Sequence, residues 1–219
     1  MRKIFSSFNW KDHLINFIVV IVGVTIAFQL SNRKEKSDQR QLERNSLESI
    51  VLDLDDDIYH LEQSTDTIKI LKSRLEYFVA NLYQKKVNRD SLIDLISIQY
   101  VQSPFIPRDN TYQSLLTSGK LDVIDDFELR KQLTQLYHGY YQSIKLIDQL
   151  SAQQKNELIL PYLMTLDHGN PGSINVYEPS FVNSNSYSLY YLTQKLAQDQ
   201  IALNSAVQLR EDIKKKLKD

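Results

Sequence analysis

The 219-residue chain contains no cysteine, only five glycines and five prolines, and a single tryptophan. Without cysteine there is no disulfide, no thiolate nucleophile and no cysteine-held zinc. The compartment is left open, since a cysteine-free protein is at home in reducing and oxidising surroundings alike. A formal net charge of −1 provides no electrostatic footprint for nucleic acid, so no nucleic-acid partner is expected. Nor is there a Gly-rich phosphate cradle, a serine in a nucleophile-elbow context or an H-E-x-x-H pair. No catalytic residue and no cofactor are therefore expected. No proline precedes Pro104 and no glycine lies between Gly23 and Gly119, which leaves the first hundred residues free to be mostly helix.

What the chain does have, near its start, is LINFIVVIVGVTIAFQL, residues 14–30, without one formal charge. As a helix this run is about 25 Å long, and counting from Trp10 brings it to about 30 Å, the thickness of a bilayer's hydrocarbon core. Phe17, Ile18, Val19, Val20, Ile21, Val22, Val24 and Ile26 point in every direction, so no polar face is left for water. Ala27 is followed by Phe28, Gln29 and Leu30, which lacks the small-residue spacing of a signal cleavage site. The reading is a retained transmembrane helix at 14–30 behind a short tail at 1–13, with the lipid bilayer as its first partner. Gly23 and Ala27, four apart on one face, have the small-xxx-small spacing of a transmembrane packing face.

Orientation follows from flanking cations. Arg2, Lys3 and Lys11 precede the span, whereas Arg33, Lys34, Lys36, Arg40 and Arg44 follow it. The raw count places the C-terminal side in the cytoplasm. The shortness of the first tail and its α-amino charge favour the opposite arrangement, and the Glu35, Asp38 and Glu43 interleaved in the second group add only a little to it, because acidic neighbours count for little in this rule. The expectation is the N-terminus inside and the large domain outside.

Beyond a polar stretch at 31–46, which is either a solvated helical stalk or a frayed linker, Leu47, Leu54, Leu61, Ile68, Leu75 and Leu82 recur every seven residues. This is a long amphipathic helix. Its second apolar column drifts, Val51 and Ile58 lying four after members of the first and Leu71 and Phe78 three after, as befits packing within a bundle more than an isolated zipper. One helix from about Trp10 to about Tyr83 is the expectation if the stalk is helical.

Further on, a short helix starts at an Asp90 cap and presents Leu92, Leu95 and Ile96. Pro104 and Pro107 make a non-helical crossing. Asp109 or Asn110 opens a helix that runs to Ser118 and is ended by Gly119 in a left-handed conformation. Asp125 and Glu128 stand at capping-box spacing before a helix through Leu129, Leu133, Leu136, Tyr140, Ile144 and Ile147, which reaches Leu160 and is kinked or ended by Pro161. A loop at about 167–186, rich in Gly, Pro, Asn and Ser, is either an ordered contact or disordered. The last helix, from about Tyr187, presents Leu189, Leu192, Leu196, Leu203, Val207, Ile213 and Leu217. Its Lys214, Lys215, Lys216 and Lys218 suit a helix C-terminus or, in a sharper reading, a lipid surface.

The run VVIVGVTIAFQLSNRKE together with Ser118, Gly119, Leu121, Ile124, Leu129 and Arg130 resembles domain-of-unknown-function family 6090, uncharacterised single-pass membrane proteins of gram-negative bacteria. The resemblance spans most of the chain and implies a bacterial inner-membrane location, with the large domain periplasmic on the orientation above. It carries no activity. Arg33 and Lys34 stand where that family often shows tryptophan followed by a polar residue.

Two stretches invite chemistry. In DLDDDIYH, Asp57 and His60 have an i, i+3 ligand spacing, but neither His138 nor His168 has an acidic residue three positions earlier. A solvated acidic face is the expectation and no metal site is assigned. In HGYY, Gly139 is expected to allow close helix packing, with Tyr140 buried and His138 half exposed. The sequence reads as an all-α protein: a transmembrane helix running into a long amphipathic helix in an antiparallel bundle at 47–219. The functions expected are a non-catalytic scaffold or accessory subunit of an envelope assembly with a protein partner or a second copy, or a ligand-sensing bundle signalling through a partner.

Overall fold

The computed structural model describes residues 10–101, 103–165 and 176–218. No strand occurs among the described residues, and the chain is all-α. Helix α1 (Trp10–Tyr83) covers the apolar run, the polar stretch 31–46 and the heptad region as one helix, so the stretch 31–46 is helical and not a frayed linker. Helix α2 is Arg89–Tyr100 and α3 is Asn110–Thr117. A 3-10 turn at Leu121–Val123 leads to α4 (Phe127–Thr134). A π-turn at Gln135–Tyr140 joins α4 to α5 (Tyr141–Gln154), and another at Lys155–Ile159 joins α5 to α6 (Leu160–Met164). Helix α7 is Pro179–Lys216.

The chain divides into two compact units, residues 1–46 and 47–219. The first contains one helical stretch long and apolar enough to cross a membrane, with a mean hydropathy of 2.3 and none of that window buried.

In the second unit every member of the heptad column, Leu47 to Leu82, is buried. Cross-helix contacts give the direction of packing. Asp55, Ser64 and Tyr83 of α1 meet Arg210, Asp199 and Ser186 of α7; Gln132, Asp148 and Gln154 meet Asp212, Lys195 and Ser184. Partner numbers fall along α7 as they rise along the other two, so α7 lies antiparallel to both α1 and the 127–164 rod. The apolar interior is in two parts. One surrounds Leu54, Leu133 and Ile144, and the other surrounds Leu75, Phe78 and Phe181.

Local chemistry moves several boundaries. Asn88, not Asp90, caps α2, its side chain accepting from the Ser91 amide at 2.8 Å. The cap of α4 is Asp126, whose carboxylate accepts from Glu128 N and Leu129 N; Asp125 is one position too early, leaving Glu128 inside the first turn. Helix α7 begins at Pro179 and not near Tyr187, because proline fits the first turn and Ser184, Asn185 and Ser186 bond back to carbonyls four residues earlier. The expected loop at 167–186 is thus helical in its second part, while 166–175 lie outside the described residues.

Pro161 neither ends the rod nor stands at a break. The π-turn just before it uses bonds one residue longer, Leu160 N to Lys155 O, in the region where proline disrupts the α-helical ladder. The face of α7 also departs from the leucine pattern. Ser188, Lys195, Asp199, Ala202 and Ala206 form its buried centre, while Leu189, Leu192, Leu196 and Leu203 are half-buried on the flanks. A helix lying between two neighbours presents its leucines sideways to each, and small or polar residues where the backbones come closest.

Two helix ends share one geometry with different residues. After α3, Lys120 N bonds Leu115 O and Gly119 N bonds Leu116 O, a Schellman motif with Gly119 at φ +65°, as the sequence predicts. After α1, Lys86 N bonds Asn81 O and Lys85 N bonds Leu82 O, with Lys85 at φ +56°. A side chain added at Gly119 would meet nothing within 4 Å, so its cost lies in the backbone alone. Gly119→Val is expected to destabilise the fold by about 1 kcal/mol or more, and Lys85→Gly to stabilise it by a comparable amount. Thermal unfolding of the full chain by circular dichroism checks both, and equal midpoints would show that neither turn constrains stability.

Candidate functional site

Between the two apolar clusters the bundle is polar inside. On α1 the buried residues turn from Leu61 to Ser64 and Thr65, on α2 Gln99 is buried, and on α7 Ser184, Asn185, Ser188, Lys195 and Asp199 are buried in succession. These groups bond mostly to one another. Ser188 donates to Gln154 at 3.0 Å, Gln154 donates to Ser184 O at 2.8 Å, Gln99 donates to Asn185 at 3.2 Å, and Ser64 donates to Asp199 at 2.8 Å. A cavity of about 520 Å³ opens at this level. Its walls are Ile68 and Leu71 of α1, the crossing Ser103–Asp109, α5 from Tyr141 to Ala152, and Leu192 and Lys195 of α7.

Four charged groups stand at this level, of which Lys155, Lys195 and Asp148 line the cavity. Lys195 is 6 % exposed and sits 2.9 Å from Asp148 and 3.6 Å from Asp199. Burial pushes the Asp199 carboxyl up, against the lowering effect of the Lys195 charge and the Ser64 hydroxyl. Asp148 also accepts from the Phe105 amide at 3.2 Å, fixing the crossing to α5. Lys155 is different. It is 9 % exposed, lines the cavity, and has no carboxylate in ion-pair reach among the described residues. Among the described residues its ammonium finds only the carbonyls of Gln99 at 3.5 Å and Val101 at 3.3 Å, both longer than the usual 2.7–2.9 Å of a charged donor. Burial holds its pKa below the ordinary lysine value.

From the cavity an aromatic ladder runs into the first cluster. Phe105 meets Tyr141 edge-on at 4.9 Å, Tyr141 meets Tyr137 edge-on at 5.2 Å, and Tyr137 stacks on Tyr112 at 4.7 Å. The π-turn at Gln135–Tyr140 makes this possible, because its extra residue rotates the following face and brings both Tyr137 and Tyr141 inward. Tyr140 is consequently only half-buried, and His138 is exposed, reaching the Tyr112 hydroxyl at 3.2 Å. Gly139 does not serve close helix packing: an added Cβ would meet only the Gln135 side chain, at 3.9 Å.

Asp57 lies under this ladder. It is fully buried and accepts the Arg108 amide at 2.7 Å. Burial raises its carboxyl from the ordinary 3.8 to about 6, against the opposing pulls of the Arg108 amide and the Tyr141 hydroxyl. The expected solvated acidic face is therefore only partly present. Asp57 is internal, Asp56 faces Arg108 at 3.8 Å, and Asp55 pairs with Arg210 at 3.0 Å and Lys214 at 3.6 Å. That last contact gives one of the C-terminal lysines a partner within the bundle. His60 is exposed, and among the described residues no three His, Asp or Glu side chains converge to hold a metal.

The residues singled out from sequence lie elsewhere. Gly23 and Ala27 share an exposed face of the apolar run, and nothing stands within 4 Å of a Cβ built on Gly23. Asn110, Ser118, Gly119, Asp125 and Glu128 lie in and around the turns that flank α3 and α4, and none of them lines the cavity. Lys155, Lys195, Asp148 and Asp199 were not singled out. The signal that marks two of them is the 3–4 spacing of Ser184, Ser188, Lys195, Asp199 and Ala202, a small and polar stripe inside a leucine-bearing helix.

No family model, no curated protein and no solved structure matches this chain, and the resemblance to domain-of-unknown-function family 6090 rests on its sequence motifs.

Asp57 yields a pH test. With its folded pKa raised, its contribution to stability is fully present below its ordinary 3.8 and is lost as the pH rises through about 6. The loss amounts to about 3 kcal/mol at most. Asp57→Asn keeps an acceptor for the Arg108 amide without the charge. The stability of this variant relative to the parent is expected to grow between about pH 4 and pH 7, read by urea unfolding of the full chain. A difference that stays flat across that range would sink the assignment.

Proposed function

We propose that this protein is a non-catalytic, membrane-anchored ligand-binding bundle that reports occupancy to a partner protein. The observation that carries the reading is the cavity of about 520 Å³, mostly apolar in its walls but carrying a few charged groups, placed at the polar level between two apolar clusters. A bundle gains most stability from a continuous apolar interior, and polar groups buried in its middle cost free energy even when bonded. Such a layer has a rationale if it serves a ligand, whose pockets are concave, mostly apolar and furnished with a few fixed polar groups. Anchoring through residues 14–30 in a bacterial inner membrane, with the bundle on the periplasmic side, completes the proposal.

Native mass spectrometry of the full chain, taken from its own membrane into lipid nanodiscs, tests it. A small-molecule adduct is expected on the parent and lost in Ala152→Trp, which fills the cavity wall, with helical content unchanged. Equal adducts on both, or none together with no hit from a fragment screen, would remove the ligand-binding reading. The orientation is tested by adding protease to spheroplasts, where digestion of residues beyond Ser31 is expected and protection of the bundle would reverse it.

A second reading, a scaffold or accessory subunit of an envelope assembly, is favoured by a different feature. Leu52, Tyr59, Ile70 and Tyr77 are all exposed on α1, and their spacing of seven, eleven and seven places them within about 20° of one line on a helix of 3.6 residues per turn. A photo-crosslinking residue at position 59 or 77 is expected, on this reading, to capture one protein of defined mass, either a second copy or a hetero-partner. Absence of any crosslink in native membranes would exclude it.

A further inference from the structure

Resting on the ligand-binding reading, we propose that the cavity takes an apolar monoanion, with its acidic head against the Lys155 ammonium and its hydrocarbon body against Ile68, Leu71, Phe105 and Leu192.

Charge pairing decides which end of the cavity holds the head. Lys195 is already matched by Asp148 and Asp199, so an anion there meets two carboxylates. Lys145 lines the cavity but is exposed, and an ammonium that keeps its hydration gains little from an incoming anion. Lys155 alone is both buried and unmatched. It stands seven residues after Asp148, about 10 Å along the helix at 1.5 Å per residue, which separates it from that carboxylate. Its carbonyl contacts lie at the end of α2 (Arg89–Tyr100), where the negative end of the helix dipole holds the ammonium at the cavity wall. Two long bonds to neutral oxygens leave donor capacity unused, since an ammonium carries three donors.

The lining chooses the rest of the ligand. Ile68 and Leu71 are buried, line the cavity and lie outside both apolar clusters. Pro104, Phe105, Ile106 and Pro107 close the opposite side. A volume near 520 Å³ falls within the range of small-molecule sites, and the buried, unmatched ammonium of Lys155 among largely apolar walls selects one negative charge. A polyanion would leave charges unmatched next to Asp148, and a cation would meet Lys155 directly.

The lone lysine also has a purely structural reading, as a cap on the α2 C-terminus. The two readings differ in what Lys155→Met does. A cap lost from a helix end destabilises the fold and leaves ligand preference alone. A ligand-binding lysine replaced by an apolar side chain of similar length relieves a buried charge, keeps or raises the melting temperature, and removes the anion preference.

The experiment is calorimetric titration of the full chain in phosphatidylcholine nanodiscs, with empty nanodiscs subtracted, using 2-naphthoate as probe and 2-naphthylmethanol as its uncharged counterpart. The parent is expected to bind naphthoate at one site per chain and at least about tenfold more tightly than the alcohol. Lys155→Met is expected to bind both alike, with its melting temperature unchanged or higher. If parent and variant bind both probes equally, the cavity remains a ligand site and the assignment to anions is wrong. A Lys155→Met chain that melts lower while still preferring naphthoate would make Lys155 a cap and overturn the proposal. If neither probe binds and Ala152→Trp carries the same native adduct as the parent, the ligand-binding reading fails together with this one.

Discussion

A lysine buried without a counter-ion is costly for a fold, and among the described residues Lys155 has only carbonyl oxygens for its ammonium. Lys155 stands where the apolar interior stops, with polar residues of α1, α2 and α7 at its level and a cavity beside it. The residues around it form one hydrogen-bonded polar level. Serine and asparagine replace leucine at the centre of α7, Gln154 bridges Ser184 and Ser188, and Lys195 is clamped between Asp148 and Asp199. An apolar layer in the same place would join the two clusters into one and close the cavity.

Two long antiparallel packings make the polar level possible. Because α7 runs against both α1 and the 127–164 rod, its buried polar residues Ser184, Asn185, Ser188, Lys195 and Asp199 each have a partner on a neighbour, and a slip by one turn would separate several pairs together. Ion pairs such as Arg74 with Asp94 and Arg210 with Asp55 lie nearer the surface, where they contribute little stability. The buried pairs are costly to mismatch, and so they help to select the register.

The all-α class, the length of α1, its heptad column and the left-handed Gly119 were legible because each follows from local rules: hydrophobic period, absence of breakers, and the steric freedom of glycine. The caps of α2 and α4 were legible only to within two residues, since Asn88 and Asp126 compete with Asp90 and Asp125 on nearly equal local terms. The site was hardly legible. Lys155 in sequence is one polar residue in a polar stretch, SAQQKNE, and its burial comes from α2 and the proline-bounded crossing arriving from elsewhere in the chain. Asp57 was misassigned to a solvated face for the same reason: three adjacent aspartates look alike until Arg108 and Tyr141 pick out one. The leucines of α7 misled in a different way, because a helix with two neighbours buries the line between its apolar flanks.

The two π-turns have a further consequence, in terms of descent. Each holds one residue more than an α-helix of the same span, so each is equivalent to a single-residue insertion inside a helix. Relatives without them would differ from this chain by gaps in the middle of the 127–164 rod, where helices ordinarily tolerate none. Losing the residue at the first turn would rotate Tyr141 and all that follows by about 100° relative to α4, and the second turn carries Lys155 itself. Aligned position by position without those gaps, a chain lacking either turn would set a wrong residue opposite the lysine while still matching on the helices either side.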